Sequence, residues 1–196
     1  MGEASRMAEA LQYAAQVHAR QRIKGGDRPY LAHVLGVASI TMYYGGNEDE
    51  AIGALLHDAL EDADDSAPVR ETIRERFGEA VLRIVEECTD TEEHPKPAWR
   101  ERKERHLAAM RHAGESTLLV YAADKLQNAR AILQDLRVKE NDLWDRFNGG
   151  KAGTFWYYRA MIDLFRERGV NVELVDEIVR TVNAAELLAY SVARPQ

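Results

Sequence analysis

Apolar residues recur along almost the whole chain at a spacing near 3.6, and no convincing run alternates with a period of two. That property predicts an all-α fold, because a half-buried strand requires alternation. Residues 4–23 place Met7, Leu11, Ala14 and Val17 on one stripe, which Gly25-Gly26-Asp27-Arg28 interrupts. Pro29 suits the first turn of a second helix, which carries Val34, Val37 and Ile40 and stops at Gly45-Gly46. Asn47 is the expected N-cap of a third helix reaching about Asp62. Ser66 is the expected cap of a fourth, ending at Gly78, and a fifth runs from about Glu79 to Thr89. Pro95 and Pro97 keep the stretch from Thr91 to Pro97 out of regular helix. Helices resume near Ala98, then from Thr117 to about Leu136, and after Asn148-Gly149-Gly150 over about 151–168 and 172–191. With no internal repeat or linker, residues 1–196 read as a single helical-bundle domain of about eight to ten helices.

The chain is long enough for a substantial core, and its 45% apolar and 30% charged residues are those of a globular protein. No apolar stretch approaches the roughly 18 residues of a membrane span. Residues Met1 to Met7 lack the basic start and apolar run of a secretory signal. The one cysteine, Cys88, excludes an intrachain disulfide, fits a cytoplasmic protein and reads as a small buried hydrophobe. A net charge of −7 argues against nucleic acid as the main partner. Anionic small molecules stay open, because a metal or a local basic cluster overrules net charge. Arg20-Gln21-Arg22-Ile23-Lys24 and the run from Arg100 to Arg105 are such clusters, although solvated helix surface is the commoner fate of basic runs. A homodimer is compatible with the sequence, which specifies no oligomeric state.

Packing does not account for four residues: His33, the doublet His57-Asp58, and Asp124 within Ala123-Asp124-Lys125-Leu126. The doublet lies inside Ala54-Leu55-Leu56-His57-Asp58-Ala59-Leu60, where an unpaired charge is costly, so a bound cation is its natural partner. Glu61 and Asp62 follow His57 and Asp58 at a spacing of four and extend a polar patch over two turns. Neighbouring carboxylates there repel one another unless a cation is present. His33 and Asp124 arrive from other helices, as in metal sites built inside bundles. Two imidazoles and two carboxylates without sulfur suit Mn²⁺ or Fe²⁺ and can hold Zn²⁺. An ion with an open position polarises a phosphoryl oxygen and lowers the pKa of water, whose proton Glu61 or Asp62 could take. His18, His94, His106 and His112 read as ordinary core or surface residues. The cluster Phe155-Trp156-Tyr157-Tyr158 reads first as core, with Phe155 or Tyr158 as a candidate pocket wall.

Three blocks resemble the HD-domain phosphohydrolases, and more closely the hydrolase domain of the RelA/SpoT family, whose stand-alone members are the small alarmone hydrolases. They are Pro29-Tyr30-Leu31-Ala32-His33, Leu55 through Asp62, and Ala123-Asp124-Lys125-Leu126-Gln127-Asn128-Ala129-Arg130. Phe77-Gly78 and the run from Val85 to Asp90 add to a likeness that covers most of residues 5–170. The resemblance implies an HD-type bundle with one Mn²⁺ on His33, His57, Asp58 and Asp124. It implies that Glu61 and Asp62 serve the attacking water, and that the 3′-pyrophosphate of ppGpp is hydrolysed to leave GDP and pyrophosphate. A nucleoside contact from Asn128, a basic contact from Lys24, and phosphate contacts from Lys96 and Lys151 are implied as well. Lys125, inside the third block, joins this substrate-facing set. The sequence departs from the family at Ile23, where an Arg stacks on guanine, with Arg22 one residue away as a substitute. Val34 stands where Pro follows the first His, and Ala63 where Thr follows Glu-Asp. Ile23 widens the expected substrates to an adenine alarmone such as ppApp or another phosphorylated nucleotide such as NADPH. Two rival readings are an HD nucleotidase acting on a 5′-phosphate and a module that senses a nucleotide or metal without turnover.

Overall fold

A computed structural model of the chain describes residues 5–24, 26–61, 63, 65–93 and 95–191. Among these residues the elements are α1 (Arg6–Val17), α2 (Leu31–Tyr43), α3 (Glu48–Leu56), α4 (Ser66–Phe77), α5 (Glu79–Cys88), α6 (Trp99–Met110) and α7 (Glu115–Lys139). A 3₁₀ helix (Glu140–Arg146), α8 (Gly150–Glu167) and α9 (Val172–Ser191) complete them. The all-α fold is observed, and the described residues contain no strand, only an isolated antiparallel bridge between Arg22 and Pro29. No helix is long and apolar enough to cross a membrane among these residues.

The long helix α7 is the axis of the bundle: it packs along α9 and against α2, α3 and α5. Its middle turns bring Val120, Ala122 and Ala123 to zero exposure, so a polar residue placed there is enclosed unless it meets a partner. Helix α3 starts with a reciprocal cap: Asn47 Oδ1 accepts the Glu50 amide at 3.0 Å, and Glu50 Oε2 accepts the Asn47 amide at 2.7 Å. From Ala51 to Leu56 every residue of α3 is buried. Gly53 permits its close approach to α5, because a Cβ there would lie 2.8 Å from Ile84 Cγ2. Gly53→Val is therefore expected to cost about 1–3 kcal/mol through overpacking, read from denaturant unfolding. An unchanged midpoint would show that the α3–α5 contact is slack.

Four expected boundaries shift. Helix α1 stops at Val17 because the chain folds back: Ile23 N–H donates to the Arg28 carbonyl at 2.9 Å and Tyr30 N–H to that of Gln21 at 3.1 Å. Pro29 belongs to this reversal and Tyr30 is the N-cap position of α2. Helix α3 ends at Leu56 instead of near Asp62, which lies outside the described residues, and His57 to Glu61 form turns. The cap of α4 is Asp65, whose side chain accepts the Ala67 amide at 3.0 Å, while Ser66 is the first helical residue. Gly78, at φ +89°, makes the sharp joint between α4 and α5, a conformation that favours glycine. The 3₁₀ helix after α7 is an element that hydrophobic periodicity does not mark.

Candidate active site

Helix α2 supplies His33 from its first turn, the end of α3 supplies His57 and Asp58, and the middle of α7 supplies Asp124. Their polar atoms converge. His33 Nε2 lies 3.2 Å from Asp124 Oδ1 and 3.8 Å from Asp58 Oδ2. His57 Nε2 lies 3.0 Å from Asp58 Oδ2 and 3.7 Å from Asp124 Oδ1. His33, His57 and Asp124 are buried, and Asp58 is the most open of the four.

The tautomer of His57 decides what this cluster can hold. Its Nδ1 is 2.8 Å from the Ala54 carbonyl, which can only accept, so Nδ1 carries the proton and Nε2 a lone pair. That carbonyl lies in the last turn of α3, where carbonyls lose their amide partners. Nε2 is buried, makes no hydrogen bond, and faces two carboxylate oxygens. Lone pair against lone pair is stable only with a cation between them, and a divalent metal fits that need. Burial would lower the His57 pKa, yet Asp58 and Asp124 hold it well above its ordinary value, so the two carboxylates draw positive charge to Nε2, as a proton when no metal ion lies between them. Burial would raise Asp58, but the His57 and His33 imidazoles hold it below the usual carboxylate range. Asp124 is held far down in the same way, against its burial, by Lys125 and the two imidazoles. Both carboxylates are thus held in the charged form that a bound cation would need.

Residues around the cluster aim it. The Tyr30 hydroxyl donates to Asp58 Oδ2. Asn128 Nδ2 donates to Asp124 Oδ1 at 2.6 Å, and Lys125 Nζ lies 2.6 Å from Asp124 Oδ2. Beside them opens a cleft of about 380 Å³. Lys24, Glu61, Lys125, Asn128 and Tyr158 line it, so the cleft gathers five of the residues singled out in the sequence. Lys96 is bound to Glu61 at 2.9 Å. Three candidates point elsewhere. Arg22 donates to the backbone carbonyls of Ala19 and Gln21 in its own turn. Lys151 reaches the Ala189 carbonyl at 3.1 Å, in the last turn of α9, where free carbonyls attract a cation. Phe155 is 2% exposed and packs against Trp144 and Tyr190, on the core side of α8.

The structure also adds residues that the sequence reading passed over. Arg102 and Lys103 line the cleft and share one buried carboxylate, Asp90, at 2.5 Å for Lys103. Basic runs are commonly solvated surface, and this pair is the exception within its run. Their signal was periodicity: Trp99, Arg102, Lys103, His106 and Met110 occupy one stripe of α6, and the last two are buried. Arg100 and Arg105 do lie on the outside, paired with Glu104, Glu93 and Glu101. Tyr30 belongs to the first of the three motif blocks, and its contact with Asp58 depends on where α3 ends.

Two imidazoles and two carboxylates beside a cation-lined cleft in an all-α bundle form a donor set that could hold a divalent metal, as an HD domain does. The chain belongs to the HD domain family, which its sequence matches over residues 10–154. It is similar to the guanosine-3′,5′-bis(diphosphate) 3′-pyrophosphohydrolase MESH1 of Xenopus tropicalis, with 35% identity over 182 residues that span 87% of this chain and 98% of that protein. The human MESH1 is 33% identical over the same length and the same shares. A solved structure, described as a metazoan ortholog of SpoT that hydrolyzes ppGpp and plays a role in starvation responses, superposes with a TM-score of 0.71 at 28% identity. That match covers 93% of this chain and 97% of the other.

Proposed function

We propose that this chain is a metal-dependent hydrolase that removes the 3′-pyrophosphate from ppGpp or a related alarmone such as ppApp, with Mn²⁺ in the tetrad and the whole chain acting as one catalytic domain. One observation carries the reading: the cluster of His33, His57, Asp58 and Asp124 lies beside a cleft lined by Lys24, Arg102, Lys103 and Lys125. A polyphosphate needs several cations, and these supply both point charges and planar forks. The near full-length likeness to 3′-pyrophosphohydrolases supports the same substrate class. Mn²⁺ is preferred for a donor set without sulfur, and Fe²⁺ and Zn²⁺ fit the same ligands. A cytoplasmic location suits the single free cysteine, Cys88, which is buried.

When bound, a divalent ion supplies polarisation of a phosphoryl oxygen and a lowered pKa for water. Glu61 does the proton work. Its burial and the nearby Asp58 charge raise its pKa, against the pull of Lys96, which makes it a better proton acceptor than an ordinary carboxylate. It takes the proton of the water whose oxygen bonds to the phosphorus on the 3′-oxygen, and Asp62 shares that task. The bond from phosphorus to the 3′-oxygen breaks and that oxygen leaves with a proton. The products are the nucleoside 5′-diphosphate and pyrophosphate. Lys125 keeps Asp124 charged while facing the cleft, and Asn128 orients that carboxylate.

Hydrolysis of ppGpp, ppApp and NADPH in Mn²⁺-supplemented buffer, with products separated by chromatography, tests the proposal. Pyrophosphate from either alarmone supports it and identifies the base. Orthophosphate from a 5′ position would replace it with an HD nucleotidase, and metal-loaded protein that turns over none of the three would replace it with a sensor. Glu61→Gln is expected to retain the metal and lose about 10²–10⁴-fold in kcat, the usual worth of a general base. Wild-type turnover in that variant would remove Glu61 from the mechanism.

A further inference from the structure

The end of the cleft remote from the tetrad holds a cation that the phosphate chemistry does not require. Lys125, Asn128, Ile132 and Asp135 line the cleft along successive turns of α7. Asp135 is eleven residues from Asp124, about 16 Å along the helix axis. That leaves room for the sugar and base of a nucleotide whose 3′-phosphate lies over the tetrad. The walls here include the apolar side chains of Ile23, Ala131, Ile132 and Phe147.

Arg146, the last residue of the 3₁₀ helix, enters among them. Its Nη1 donates to the Lys24 carbonyl at 3.2 Å, and its Nη2 donates to Asp135 Oδ2. The guanidinium carbon sits 5.2 Å from the centre of the Phe147 ring, and the side chain is 15% exposed. These contacts hold the guanidinium plane in one orientation. Asp135 does not depend on Arg146 for a partner, because Arg28 Nη2 already donates to both of its oxygens, at 3.0 and 2.9 Å. A second guanidinium on a carboxylate already paired, lining the cleft, is in excess of what burial of Asp135 requires.

We infer that Arg146 is the platform on which the nucleobase stacks, with Ile23, Ala131 and Ile132 providing the surrounding apolar contact. A guanidinium is planar, delocalised and weakly hydrated, so it stacks on an aromatic face where an ammonium does not. Arg planes serve this purpose for splayed nucleobases in general. Because every base offers a π-face, the platform recognises a nucleoside without selecting guanine or adenine. The assignment rests on the nucleotide-hydrolase reading above.

The test compares wild type, Arg146→Ala and Arg146→Lys in steady-state kinetics with ppGpp and ppApp, and measures inhibition by adenosine 3′,5′-bisphosphate and by a base-free ribose bisphosphate. Both variants are expected to raise KM for both alarmones about tenfold or more, the scale of one base stack. They should also weaken the adenosine inhibitor, and leave kcat, melting temperature and the base-free inhibitor near wild type. Lysine behaving like arginine, a parallel loss of the base-free inhibitor, or an effect confined to one base would each overturn the platform. Isothermal titration of the adenosine bisphosphate reads the same loss without turnover. A wild type that binds the nucleotide but hydrolyses neither alarmone would therefore sink the hydrolase reading and leave the platform to be judged by titration.

Discussion

Asp58→Ala is expected to lose the bound divalent ion and about a thousandfold or more in turnover, since the ion's contribution of several kcal/mol goes with it. The reason is geometric. Asp58 Oδ2 faces both imidazoles, at 3.0 Å from His57 and 3.8 Å from His33, and accepts the Tyr30 hydroxyl. Without it, two neutral imidazoles and the single carboxylate of Asp124 remain, and Tyr30 loses the group it orients. Because Asp58 is partly open to solvent, water can fill the gap and the fold should persist. Metal content by mass spectrometry and turnover on an alarmone check the prediction together. Asp58→Asn is the informative companion: it keeps an acceptor for Tyr30 but removes the charge, and it should fail as well. Stoichiometric metal and full activity in both variants would move the site elsewhere.

Asp90→Ala should have the largest effect on stability. The carboxylate is 6% exposed and holds Arg102 and Lys103, which are only 11% and 16% exposed. Removing it leaves Lys103 without a carboxylate and Arg102 with only the distant Glu61, at 3.9 Å, a change that costs about 3–5 kcal/mol. At the per-kcal sensitivity of a chain this size, the melting temperature should drop by roughly 6–20 °C. The pH dependence has a definite sign. Burial alone would raise the Asp90 pKa, but Lys103 and Arg102 bring it below the ordinary value. Its contribution is therefore present above the unfolded carboxylate pKa and is lost as pH falls through the lower folded value. Thermal unfolding across the acid range should show that loss in wild type and not in Asp90→Asn. A variant as stable as wild type would mean that Arg102 and Lys103 find solvent or other partners.

Local rules made most of this molecule legible. The 3.6 spacing predicts the helices, Asn47 and Gly78 mark their ends, and the apolar frame around His57-Asp58 singles out a doublet that ordinary packing would not include. The resemblance in the blocks around His33 and Asp124 completes a candidate metal set. What remained hidden was whatever depends on direction. Lys151 and Phe155 sit on α8 close to Thr154 and Tyr158, which line the cleft, yet the first bonds to the end of α9 and the second packs into the core. Arg102 and Lys103 share a basic run with Arg100 and Arg105, and only the packing of α6 separates the buried pair from the solvated pair.

The sequence by itself determined the helical class, the place of most helix ends and the residue types able to hold a metal, because periodicity, capping and donor chemistry act within a few residues. Only the tertiary structure decided which cations face the cleft. It also decided that Tyr30 and Asn128 aim the carboxylates, and that Arg146 is brought beside Lys24 across 122 residues. Those relations are set by how helices cross, and a side chain one position along a helix turns by about 100°.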